Sequence, residues 1–176
     1  MDESRRERFE AVAPELIEPL RRFLARRTDA ATADDVLAET LLVCWRRVAE
    51  LPEEPLPWAY GVARNCLLNA ERSVRRQERL AAKIATVDPP FEAAPAPAEA
   101  DGDLVVALAA LRPDDAELLR LWAWEQLTPA EIATVLDITA NAASIRLHRA
   151  REKLKDQLRK TAGAAGHEGS REGRRP

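Results

Sequence analysis

Residues able to carry covalent chemistry are few in this chain of 176 amino acids. It has two histidines, His148 and His167, and two cysteines, Cys44 and Cys66, at no metal-ligand spacing. There is no glycine-rich loop to cradle a phosphate, and no nucleophile–base pair can be placed. Neither an enzyme nor a bound metal or cofactor is therefore expected. What recurs instead is asparagine and arginine at helical spacing. Asn65, Asn69, Arg72, Arg76 and Arg79 follow one another by four, three, four and three positions, which puts them on one face of a helix. At 1.5 Å per residue the row is ~21 Å long, comparable to six stacked nucleotides. Asparagine can read base edges and arginine can hold phosphates. A solvated basic face is the plain alternative. Trp58 and Tyr60, at the start of the same helix, weigh against it because aromatic rings stack on unpaired bases, although core packing explains these two rings equally well.

A second group lies in the stretch from Leu127 to Leu158. Thr128 is suited to cap a short helix, Pro129 to its first position and Glu131 to closing a capping box. Ile132, Ala133 and Leu136 are expected to bury, and Asp137-Ile138-Thr139 to form a turn. On the longer helix that follows, Ala143, Leu147, Ala150, Leu154 and Leu158 make an inward face. Ala142, Ile145, Arg149 and Glu152 point the other way, flanked by Arg146 and His148. Ile145 breaks the binary pattern, and an outward isoleucine there can touch a thymine methyl in the major groove. Arg149 can reach guanine or phosphate. A short helix, a tight turn and a long basic helix form the helix-turn-helix arrangement.

The elements that position these groups are helical throughout. Alanine, leucine, arginine and glutamate dominate and glycine is scarce. A first helix is expected from about Ser4 to Arg27, interrupted or kinked at Pro14 and Pro19. A second begins after Thr32 as N-cap, with Asp34 and Asp35 in its first turn, and its apolar positions Val36, Leu37, Leu41, Cys44, Trp45 and Val48 follow three-and-four spacing. The loop from Leu51 to Pro57 ends it. A third helix runs from near Trp58 to about Lys83, with Ala59, Val62, Ala63, Cys66, Ala70 and Val74 packed. Asp103 to Leu111 and Asp114 to Trp124 follow, the latter with Leu118, Leu119, Leu121 and Trp122 as core. Both cysteines read as buried free thiols.

Charge divides the chain in the same way. The net charge is only -3, yet residues 64–83 hold six basic and two acidic side chains and residues 138–160 hold seven and two. Two basic surfaces on an otherwise acidic chain are the consequence. Val87 to Gly102 (VDPPFEAAPAPAEADG) is acidic, rich in proline and without helical period, an extended tether. The expected division is 1–85, a linker at 86–102, a second unit at 103–160, and a disordered tail at 161–176. The N-terminus is too charged for a signal peptide and no apolar run is long enough to cross a membrane, so the protein is expected to be cytoplasmic.

Over nearly all of Phe9 to Leu158 the chain resembles the extracytoplasmic-function (ECF) sigma factors of RNA polymerase, in the sigma-70 family. Three stretches carry the resemblance: Ala33-Asp34-Asp35-Val36-Leu37-Ala38-Glu39-Thr40-Leu41, Trp58-Ala59-Tyr60-Gly61-Val62-Ala63-Arg64-Asn65 and Ile145-Arg146-Leu147-His148-Arg149-Ala150-Arg151. It implies an all-α fold of two small domains, the region 2 bundle and the region 4 helix-turn-helix, joined by the acidic Pro/Ala-rich linker. Asp35, Glu39, Leu41, Leu42 and Trp45 would then dock on the β′ clamp helices of core polymerase. Trp58, Asn65, Asn69, Arg72, Arg76 and Arg79 would hold the non-template strand of the -10 element, with the loop from Glu50 to Pro57 capturing a flipped base. Ser144, Ile145, Arg146, His148 and Arg149 would read the -35 duplex. The implied partners are core polymerase (β′ clamp helices and β flap), promoter DNA and an anti-sigma factor. Three positions depart from the family pattern: Ala38 stands where glutamine is common, Asp137 where the turn usually has glycine, and Ser144 where a basic residue is usual. The alternative is a helix-turn-helix regulator that binds duplex DNA without polymerase, which leaves the N-terminal motifs without a purpose.

Overall fold

A computed structural model describes residues 2–84 and 102–168, and all regular structure among them is helical. The elements are α1 (Asp2–Ala25), α2 (Ala30–Arg46), a single 3-10 turn (Val48–Glu50), α3 (Pro55–Ile84), α4 (Gly102–Ala109), α5 (Pro113–Ala123), α6 (Pro129–Leu136) and α7 (Ala140–Glu168). They divide into two compact units, one holding α1–α3 together with residues 134–137, the other the remainder of α4–α7. Residues 85–101, which include nearly all of the expected linker, lie outside the described residues, as do 169–176.

In the first unit α1 runs unbroken through Pro14 and Pro19, where interruptions were expected. Magnitudes explain why. Each internal proline costs about 3 kcal/mol, but Leu16, Leu20, Phe23 and Leu24 are all fully buried, and each such side chain contributes roughly 1.5–3 kcal/mol. The carbonyls deprived of a donor belong to Glu10 and Glu15, both exposed residues. α2 begins earlier than its sequence pattern implied. Asp29, not Thr32, is its N-cap, accepting the Thr32 N–H at 3.0 Å. That backbone hydrogen bond holds the Asp29 carboxyl below its usual range. Asp34 and Asp35 consequently sit beyond the first turn, out on the exposed side. Ala33, Val36, Leu37, Thr40 and Cys44 face inward, and the buried Thr40 hydroxyl donates to the Val36 carbonyl at 2.7 Å.

α3 starts at Pro55, so the connection is shorter than Leu51 to Pro57, and prolines occupy the helix's first turn, where a missing N–H costs nothing. Ala59, Ala63 and Cys66 pack as expected, joined by Leu67 and Tyr60. Tyr60 is only 4% exposed and lies against Phe23 at 5.0 Å between ring centroids, so it is a core residue and not a stacking platform for bases. Val74 was expected to pack but is 52% exposed, in a stretch from Arg72 to Ala81 in which every residue is exposed.

Both cysteines are free and buried. Burial pushes the Cys44 thiol up to about 11, and Cys66 is raised for the same reason. Raised thiols favour the fold below the ordinary thiol pKa of ~8.5 and lose that contribution as pH climbs through the folded value. Stability in urea is accordingly expected to hold from pH 7 to about 8.5 and to fall between about 9 and 11. A Cys44→Ala/Cys66→Ala variant should show a shallower alkaline decline. An equal decline in both proteins would mean that other groups set it.

In the second unit α5 and α7 enclose Ala116, Leu118, Leu119, Leu121, Ala143, Leu147 and Ala150, with Ile132 and Ala133 from α6 also buried. Trp122, assigned to the core from sequence, is instead 40% exposed, with the Arg151 guanidinium 4.7 Å from its ring centroid. Lys153 on α7 meets Asp115 on α5 at 2.6 Å. α7 extends through Glu168, so the tail expected to be disordered after Lys160 is helical for a further two turns.

Candidate nucleic-acid interface

The helix-turn-helix is built by local rules, starting with the cap of its first helix. Glu131 Oε2 accepts the Thr128 N–H at 2.7 Å and the Thr128 hydroxyl at 2.6 Å, while the Glu131 N–H donates to Thr128 Oγ1 at 3.3 Å. This reciprocal capping box fixes where α6 begins. Replacing Thr128 by Ala is expected to cost about 1 kcal/mol, read as a lower melting temperature in calorimetry. An unchanged melting temperature would mean that solvent caps the helix equally well.

α6 ends at Leu136, and Asp137 just after it has a left-handed φ of 53°. Aspartate tolerates that region better than most residues, so the departure from glycine is accommodated. Thr139, read from sequence only as part of the turn, is the N-cap of α7: its hydroxyl accepts the Ala142 N–H at 3.2 Å. A threonine directly before the first helical residue, Ala140, was the available signal.

On α7 the inward positions Ala143, Leu147 and Ala150 are buried and Leu154 and Leu158 half-buried. Ser144, Ile145, Arg146, His148 and Arg149 are all exposed, Ile145 by 44%. Ala142, placed on the outward face from sequence, is half-buried. Lys153, Arg151 and Arg159 are engaged by Asp115, Trp122 and Asp156 respectively. Arg146 and Arg149 form no ion pair among the described residues, which leaves their charge available at the outward start of the helix.

The first unit carries two further faces. On α3, Asn65, Asn69, Arg72, Arg76 and Arg79 are all exposed along one side. Arg75, off that row, pairs with Glu71 at 3.6 Å, whereas Arg72 donates only to the neutral Asn69 Oδ1 at 3.4 Å. The row therefore keeps its positive charge. Trp58 is half-buried at the head of α3, and the Arg47 guanidinium lies 5.3 Å from its ring centroid. On α2, Asp35, Glu39 and Leu42 share one exposed face, Leu42 by 45%. Leu41 and Trp45 are half-buried and lie to the side, and Phe9 meets the Trp45 ring edge-on at 5.4 Å. Arg47 was not singled out from sequence. Its three-residue spacing to Glu50, which it holds at 2.6 Å, was the clue.

Residues 101–154 match the family model for sigma-70, region 4. The RNA polymerase sigma factor CarQ of Myxococcus xanthus is 33% identical over 145 residues, covering 77% of this chain and 80% of that protein. The ECF RNA polymerase sigma factor SigL of Mycobacterium tuberculosis is 30% identical over 141 residues, covering 76% of this chain and 79% of that one. The chain belongs to the ECF sigma factors of RNA polymerase.

A further sigma relative, the Xanthomonas campestris protein named "Probable RNA polymerase sigma factor RfaY", is 30% identical over 145 residues, 77% of this chain. The match spans only 36% of that longer protein. The fold is likewise that of a sigma factor. The Bartonella quintana sigma factor RpoE, solved with the anti-sigma factor NepR, superposes with a TM-score of 0.61 at 20% identity, over 86% of this chain and 96% of that one. The sequence-based assignment to the ECF sigma factors, and to an all-α fold, is borne out. Among the described residues, no helix of this sigma factor is long and apolar enough to cross a membrane.

Proposed function

We propose that this sigma factor directs core RNA polymerase to promoters by reading two separate DNA elements, without covalent chemistry of its own. The observation that carries the reading is that one chain has two chemically different basic helical faces, whose arginines Arg72, Arg76, Arg79, Arg146 and Arg149 form no ion pair among the described residues. The α3 row combines amides with arginines over ~21 Å, which suits the bases and phosphates of a single strand, the -10 element. The start of α7 combines an exposed apolar side chain with arginines, which suits the major groove of duplex, the -35 element. The two units, 1–85 and 103–160 with the linker between them, would serve these two elements in turn.

The exposed acidic and apolar face of α2, Asp35, Glu39 and Leu42, would dock on the β′ clamp helices, with Leu41 and Trp45 behind it. A basic partner surface complements those carboxylates. The β flap would receive the second unit. An anti-sigma factor is the expected regulator, since the Bartonella relative of this fold was solved with one, and the working compartment is the cytoplasm. The test is in vitro transcription with core polymerase on a genomic promoter library. Transcripts starting downstream of a shared pair of elements are expected. A protein that fails to co-elute with core polymerase over a range of salt would be a duplex-binding regulator instead. A Glu39→Lys/Leu42→Asp variant is expected to lose most co-elution, by roughly tenfold or more in affinity, while still binding -35 duplex.

A further inference from the structure

We propose that Arg5 and Arg8, in the first two turns of α1, are positioning residues for the loop between α2 and α3, and that they set how sharply this loop discriminates the base it captures. The proposal rests on the reading of that loop as part of the -10 interface. α2 ends at Arg46; the Arg47 N–H meets the Val43 and Trp45 carbonyls, and the remaining carbonyls of a helix's last turn need partners from outside it. Arg5 Nη2 donates to the Arg46 carbonyl at 3.2 Å and, at the limit of hydrogen bonding, to the Trp45 carbonyl at 3.5 Å. A cation there also complements the helix dipole. Three residues on, Arg8 Nη2 donates to the Leu51 carbonyl at 2.9 Å. These bonds join positions 40 to 43 residues apart in sequence.

Between the two anchors the chain has little freedom. Val48 and Leu51 are buried at 0% and 5% exposure. The Arg47 Nε and Nη2 atoms both donate to Glu50 Oε2, at 2.8 and 2.6 Å, and the same guanidinium lies over Trp58. The surface left for a ligand is Ala49, Glu50 and Pro52 to Glu54, all exposed. Burial pins the depth of the loop, while the α1 arginines fix the tilt of its backbone. Discrimination between bases depends on donor and acceptor placement to within a few tenths of an ångström, whereas phosphate attraction does not. Loss of the two arginines should therefore blunt selectivity and leave the electrostatic part of binding in place.

The test uses holoenzyme assembled with core polymerase and fluorescent single-stranded oligonucleotides carrying the -10 element, or the same element with each base replaced in turn. With Arg5→Ala/Arg8→Ala, the affinity ratio between the intact and base-substituted strands is expected to fall roughly tenfold at the position the loop captures. The slope of log affinity against log salt should be unchanged, because no phosphate contact is lost. Arg8→Lys keeps a donor for the Leu51 carbonyl and is expected to retain most of the discrimination, whether or not the double variant folds. An undiminished ratio in the double variant, or loss of discrimination in Arg8→Lys equal to that of Arg8→Ala, overturns the proposal. So does a shallower salt slope with equal weakening on every strand, since that marks the arginines as phosphate contacts. Wild-type holoenzyme that fails to distinguish the strands overturns the loop reading itself, an outcome separable from the others because it needs no variant.

Discussion

A holoenzyme carrying Ile145→Asp and Arg149→Ala is expected to bind a -35 duplex roughly 100-fold more weakly than wild type, since each base-edge contact contributes about 1–3 kcal/mol. Both side chains are exposed and neither joins the inward face of Ala143, Leu147 and Ala150, so α7 has no reason to unfold. Aspartate at 145 does two things. It removes the apolar contact that a thymine methyl needs, and it places a carboxylate against the acceptor-rich floor of the groove. Arg149→Ala removes a donor that forms no ion pair among the described residues. Electrophoretic mobility shifts on the -35 duplex check the DNA side, and co-elution with core polymerase checks that the rest of the protein is sound. Parallel loss of both activities would mean the unit had collapsed. A -35 affinity within about threefold of wild type would show that another face of the second unit meets DNA.

The second large effect belongs to α3. Arg72→Ala/Arg76→Ala/Arg79→Ala is expected to slow promoter opening by roughly 30-fold or more and to reduce the salt slope of single-strand binding by about 2, at ~0.7 per phosphate contact. Permanganate footprinting reports the opening, and a salt titration on the -10 oligonucleotide reports the contacts. Asn65→Ala separates reading from holding: it should impair opening with little change in the salt slope. Alanine is the best helix former and these three positions are exposed, so the triple variant keeps its helix. An unaltered salt slope would leave the row as a solvated face and move the single-strand site elsewhere on the first unit.

How far the sequence reached follows from which forces are local. The helix-turn-helix was legible nearly to the atom, because a capping box, a turn and a three-and-four apolar pattern are all written within a few residues of one another. The polar row on α3 was legible for the same reason. What the sequence obscured depends on neighbours distant in the chain. Whether Val74 or Trp122 is covered depends on partners distant in the chain, as Tyr60 depends on Phe23 thirty-seven positions earlier. α1 passes through two prolines because its buried side outweighs their local cost. Asp29 displaced Thr32 as the cap because both are competent and the turn before α2 chose between them. Arg5 and Arg8 gave no signal at all: their partners are carbonyls, which have no letter in the sequence.

The bare outer stretch of α3 has a consequence in time as well as in space. From Arg72 to Ala81 no side chain is buried, so that part of the helix is held by its own propensity, and short helices are marginal in water. Its amide protons are expected to exchange with deuterium far sooner than those of Ala59 to Leu67 in the free protein, and to slow markedly when a -10 strand lies along the arginines. Part of the binding energy is then spent on ordering the reader as it reads. A strand that bonds poorly along the row would leave the far turns fraying, and the complex would be lost from that end first.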